Sequence, residues 1–173
     1  MTLRRAFLWF WVGGLVLFAG VIALGMPLVL TEVPGGILDH QAAGSAAEVD
    51  RIQSAWQAAG LSNQASIAMF GDLVFIGIYG LGCVLGGLYF RRSEVSWMRA
   101  AGSMALIAGA VFLITDYIET IAQFIQLQKF AGDDTLAELA ATVRPAKMLS
   151  WVMGTVSILV ALLGEWRGGR AGD

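Results

Sequence analysis

The 173-residue sequence predicts an all-α protein, a four-transmembrane-helix bundle with a short amphipathic helix between its first two spans. Three observations predict it. Hydrophobic residues make up 57% of the chain and charged residues 14%, where an average soluble domain is roughly 25% charged. Four apolar segments are each long enough to cross a hydrocarbon core, which takes roughly 20 helical residues. Seven of the nine arginines gather in the connections at one end of the segments.

The first span covers about residues 6–30 and carries no charge. Arg4 and Arg5 precede it, as basic residues precede a signal peptide. Its apolar run is longer than a signal-peptide core and no small-x-small cleavage site follows, so a retained anchor is expected. The second span, about 66–90, holds one charge, Asp72. The third, about 100–127, holds Asp116 and Glu119, and the fourth, about 146–164, holds Lys147 near its start. The alternation of barrel strands is missing, so the whole chain, 1–173, is expected to form one integral membrane domain.

The outer loop, 31–65, has a pattern of its own. "SAAE", Ser45 to Glu48, is a capping box, in which each end of the tetrapeptide satisfies the other's backbone N–H. Val49, Ile52, Trp56 and Ala59 follow at helical spacing, and Gly60 is a stop signal. This is the amphipathic helix, expected across the outer mouth of the bundle or on the lipid surface. "TLAE", Thr135 to Glu138, repeats the capping signal. The fourth helix is therefore expected to begin near Leu136 and to kink near Pro145.

Arg4, Arg5, Arg91, Arg92, Arg99, Arg167 and Arg170 fall on one side of four crossings. The opposite connections hold Glu32, Asp39, Glu48, Asp50, Asp133, Asp134 and Glu138. Positive charge stays inside, so the expected topology has both termini cytoplasmic and residues 31–65 periplasmic, in a bacterial inner (cytoplasmic) membrane.

At about 1.5 Å of rise per residue, Asp72 lies roughly 28 Å above its cytoplasmic boundary, Asp116 roughly 26 Å, Glu119 roughly 30 Å and Lys147 roughly 27 Å. Three spans thus bring ionisable groups to one level, the outer edge of the hydrocarbon core. Asp116 and Glu119 share a helix face at i and i+3, and Gln123 extends it. Asp72, Ile76, Tyr79 and Cys83 form one stripe of the second span, and Lys147 and Trp151 are i and i+4 on the fourth. Ionisable groups within spans are costly and mark pathways or sites more often than not. The plainer reading is interhelical glue, with Lys147 bridging one acid; such a bridge leaves two acids over.

The remaining signals concern packing. Gly82-x-x-x-Gly86 and Ala105-x-x-x-Gly109 have the spacing that lets membrane helices approach closely. Trp9, Trp11, Trp97, Trp151 and Trp166 mostly fall where interfacial anchors belong, with Trp151 also placed to wall a ligand.

Several functions are excluded on residues. A net charge of −2 argues against nucleic acid. The lone Cys83 permits neither an internal disulfide nor a dithiol redox site. The lone His40, expected in a loop, cannot build a bis-histidine haem or a multi-histidine metal site, nor a rhomboid-type protease. Three carboxylates could hold a hard divalent ion, but without histidine support no metal or cofactor is expected.

Asp72 with Tyr79, "DYIE" from Asp116 to Glu119, and a lysine near Trp151 resemble a group of small bacterial four-helix integral membrane proteins of unassigned function. That group carries an Asp-x-x-Glu pair followed by asparagine and a Lys-Trp dipeptide. Here Thr120 replaces the asparagine, and three residues separate Lys147 from Trp151. The resemblance covers about the last three spans and implies fold alone.

Three functions remain. The first is binding or modifying a lipid or small amphiphile. Asp116 and Glu119 would be the catalytic acid/base pair, Lys147 an anion anchor, Asp72 and Tyr79 orienting groups, and Trp151 a wall of the substrate site. The second is a proton- or cation-coupled carrier. The third is an accessory subunit of a larger membrane complex. Expected partners are membrane lipids, with a homodimer or a larger complex as further options.

Overall fold

The computed structural model describes residues 1–170, the side chains of residues 168–170 excepted. The side chain of Arg170, one of the inner charges, therefore lies outside the described part. Helix accounts for 85% of the described residues, and no strand occurs among them. Helix is accordingly how its apolar runs would cross a membrane.

Helix α1 spans Leu3–Gly25 and is prolonged by a 3-10 turn, Met26–Leu28. Helices α2 (Ile37–Ala42) and α3 (Ala46–Ala58) follow, then α4 (Ser62–Phe90), α5 (Ser96–Lys129) and α6 (Asp134–Arg170). Four helical segments are long and apolar enough to cross a membrane: α1 with its turn, α4, α5 and α6. Each begins before its apolar run, because hydropathy marks where lipid would lie, whereas backbone hydrogen bonds continue into polar flanks; the first ends at Leu28, short of residue 30. On α5 the exposed residues Ile107, Ile114, Ile118, Ile121 and Ile125 recur at helical spacing. Such an apolar stripe suits lipid better than water.

The caps correct two sequence expectations. Ser45 Oγ accepts from the Glu48 backbone N–H at 3.3 Å, so half of the capping box forms. The Glu48 carboxylate does not return the bond but grips Arg51 at 2.6 and 3.0 Å. A charge-assisted pair outcompetes a carboxylate-to-amide contact. Gly60 ends α3 as expected: at φ 71° it sits in the left-handed region. There Leu61 N bonds Trp56 O at 2.7 Å and Gly60 N bonds Gln57 O at 3.0 Å, a Schellman motif. At α6 the cap is Asp133, whose Oδ1 accepts from Leu136 N at 3.0 Å, and not Thr135. A carboxylate is the stronger acceptor at the positive end of a long helix. Helix α6 then runs through Pro145 without interruption. Helix α2 is an element the sequence pattern did not show.

The chain divides into two compact units. One comprises Met1–Leu15, Gly77–Leu113 and the chain from Ala146 onward. Within it the glycines of α4 seat its neighbours. A Cβ on Gly82 would lie 2.6 Å from Trp11 Cα, and one on Gly87 2.5 Å from Leu106 N. Gly109 faces Cys83 in the same way, at 2.7 Å. Trp11 is consequently buried at 5% exposure, a correction to its reading as an interfacial anchor, whereas Trp9, Trp97 and Trp166 are exposed. Arg4 pairs with Glu165 at 3.1 Å, and the Tyr89 hydroxyl donates to the same carboxylate. The first residues of α1 thus meet the last turns of α4 and α6.

The other unit comprises Val16–Ile76 and Ile114–Pro145. Val49, Ile52 and Trp56 of α3 are buried there with Leu28, Met69 and Leu127. Trp56 Nε1 donates to Leu28 O at 3.0 Å. Two further bonds tie α3 to the start of α6 and to the α5–α6 connection: Ala46 N to Asp134 Oδ1 at 2.7 Å and Gly132 N to Asp50 Oδ1 at 2.6 Å. Helix α3 therefore rests its apolar face on protein and not on a lipid surface. Ala59, expected on that face, is exposed because the helix has ended.

Candidate functional site

Helices α4 and α5 deliver three carboxylates to the interior of the second unit. Asp72 of α4 is 8% exposed, Asp116 of α5 is 1% and Glu119 is 0%. Their faces follow from helical spacing: Asp116 and Glu119 are i and i+3 on α5. The two helices are held in register beside the site by Tyr117, whose hydroxyl donates to Leu73 O at 3.2 Å.

Thr120 joins the acids. Its Oγ1 lies 3.3 Å from Asp72 Oδ2 and 3.3 Å from Asp116 Oδ1. Two carboxyl groups from different helices thus share one hydroxyl, which has a single proton to give. Thr120 is 1% exposed, so protein and not solvent surrounds the arrangement. Polar side chains continue along α5. Gln123 and Gln126 are both buried. Gln123 Nε2 donates to His40 O at 3.3 Å, and Gln126 Oε1 accepts from Asp133 N at 2.9 Å.

Lys147, Tyr79 and Trp151 belong to the first unit. Tyr79 is wholly buried; its hydroxyl lies 2.6 Å from Thr155 Oγ1 and donates to Trp151 O at 3.3 Å. Its ring packs edge-on against Phe112, with centroids 5.2 Å apart, and 6.4 Å from the Trp151 ring. Lys147 is 8% exposed, and its carbonyl accepts from Ser150 Oγ at 2.9 Å. The structure therefore brings Asp72 to Asp116 through Thr120, and Tyr79 to Trp151.

Sequence reasoning missed Thr120, His40 and Gln53 here. Thr120 carries no pattern of its own; one threonine in a span is unremarkable until a carboxylate from another helix meets it. His40 was expected in a loop, but it lies on α2 and is fully buried. Its Nε2 is 3.2 Å from Gln53 Nε2 of α3, and its ring lies 5.3 Å from that of Trp56. His40 Nδ1, Gln53 Oε1 and Gln123 Oε1 are buried without a hydrogen-bond partner among the described residues. Burial pushes the His40 imidazole down to about 4, so it is neutral at physiological pH.

Chemically, the cluster brings two carboxyl groups to one hydroxyl, with a third carboxyl group buried on the same helix. Clustered carboxylates of this kind suit general acid/base work, or holding a proton or a cationic or hydroxylic group. Among the described residues no three His, Cys, Asp or Glu side chains are grouped to hold a metal ion. No protein family, curated protein or solved structure matches the chain.

Proposed function

We propose that this is a bacterial inner-membrane protein that binds or modifies a lipid or small amphiphile at its buried carboxylate cluster, near the periplasmic leaflet. Both termini are cytoplasmic, and α2 and α3 lie on the periplasmic side. The observation that carries the reading is the Thr120 hydroxyl shared by Asp72 and Asp116, with Glu119 fully buried one turn away. Asp116 and Glu119 are the acid/base pair, and Asp72 orients it. The arginine distribution supports the orientation, and the Arg4–Glu165 pair supports the placement of those two helix ends on one side.

A proton- or cation-coupled carrier is the second reading. The buried polar row Asp116, Glu119, Thr120, Gln123 and Gln126 along α5 favours it. Native mass spectrometry of gently solubilised protein separates the two. A co-purifying lipid that is retained by the wild type and lost on Asp116→Asn supports the lipid reading. Wild type and variant with the same bare mass would contradict it.

A further inference from the structure

The first unit contains a half-open cavity of about 380 Å³ at the end where α1 begins and α4 and α6 finish. A water takes up roughly 30 Å³ in the liquid, so this space is ligand-sized. Its polar lining is Thr2, Arg4, Tyr89, Arg92, Ser93 and Glu165. We propose that this cavity is a binding site for the phosphodiester of an anionic lipid headgroup.

The charge balance carries the argument. Arg4 places Nε 3.1 Å and Nη2 3.3 Å from the two Glu165 oxygens, so these charges offset one another. Tyr89 spends its hydroxyl proton on the same carboxylate. The Arg92 side chain makes no hydrogen bond or ion pair among the described residues, its backbone N–H alone donating to Tyr89 O at 3.2 Å, and the residue is exposed. One positive charge is thus left in the cavity, with a planar fork suited to phosphate oxygens. A phosphodiester carries one negative charge, which matches. Leu3, Phe90 and Met98 supply an apolar wall for the carbon skeleton next to the phosphate. The cavity lies where the apolar runs of three span-length helices give out. Exposed Trp9, Trp97 and Trp166 belong to the same helix ends, and such side chains settle at headgroup level. The site depends on the chain lying in a membrane and is independent of the carboxylate cluster.

The test uses the full chain in detergent with three water-soluble probes: short-chain phosphatidylglycerol, short-chain phosphatidylcholine and inorganic phosphate. Phosphatidylglycerol is expected to bind more tightly than phosphatidylcholine, and Arg92→Gln to weaken it about tenfold, the loss of one charge-assisted hydrogen bond. Arg5→Gln removes the same charge from the same helix end outside the cavity, and should leave binding unchanged. Because Arg92 is exposed and unpaired, its variant keeps the fold. Equal affinity for the two lipids, or equal effects of Arg92→Gln and Arg5→Gln, would overturn the site. Inorganic phosphate displacing phosphatidylglycerol at equal concentration would overturn the lipid assignment.

Discussion

Thr120→Val removes the hydroxyl shared by Asp72 and Asp116 and keeps the side-chain shape. Its two contacts are each 3.3 Å, at the long end for an O–H···O bond, and one proton serves both. The loss therefore counts as one weak bond to a charged or polar acceptor and not as two strong ones. A hydrogen bond to a charged group is worth about 1.5–3 kcal/mol net, a neutral one about 0.5–1.5 kcal/mol; this geometry places Thr120 between them, at about 1–2 kcal/mol. Thr120→Ser keeps the proton and gives up only a methyl, so it should cost less. Equilibrium unfolding in mixed detergent, read by tryptophan fluorescence, gives both values. If the valine variant is as stable as wild type and the serine variant is the weaker, the site is held by methyl packing and the bridging account is refuted.

Further outcomes follow from the same geometry. Gly82→Ala would press a Cβ against the Trp11 backbone and should destabilise by about 1–3 kcal/mol in the same assay. His40 takes up a proton in the unfolded chain below its ordinary 6.5 but resists it when folded until about 4. Stability should thus be full above pH 6.5 and decline as pH falls towards 4, by up to roughly 3 kcal/mol, and His40→Gln should flatten that slope. For orientation, a cysteine at Ser45 in a Cys83→Ala background should react with an impermeant maleimide in intact cells; labelling only after permeabilisation would reverse the topology.

Much of the fold could be read in the sequence because periodicity reports which face is covered. Asp72, Ile76, Tyr79 and Cys83, spaced as one stripe, are all buried on α4. Val49, Ile52 and Trp56 mark the inner face of α3 for the same reason. What stayed hidden depends on partners distant in the chain. Helix α2 has six residues, too few for a period, and its buried His40 meets Gln53 and Gln123 from other helices. The α6 cap was misplaced because Asp133 and Thr135 both offer a good acceptor, and sequence does not say which backbone N–H will face it. The sequence groups Trp11 with the interfacial tryptophans, but Gly82 opens a space for its backbone and turns that face inward. The acids themselves were legible as buried charges in lipid-like surroundings. Their junction at Thr120 was not, since it needs the register of α4 against α5.

The central claim is that Asp116 belongs to a site and is more than glue, and the stability of Asp116→Asn tests it most directly. Asparagine keeps the Oδ1 acceptor that Thr120 uses, so the interhelical junction survives the exchange. The account expects the variant to unfold within about 1 kcal/mol of wild type, while the co-purifying amphiphile is lost from the same sample. A loss of 3 kcal/mol or more, the scale for breaking a buried charge pair, with the bound species unchanged would contradict it.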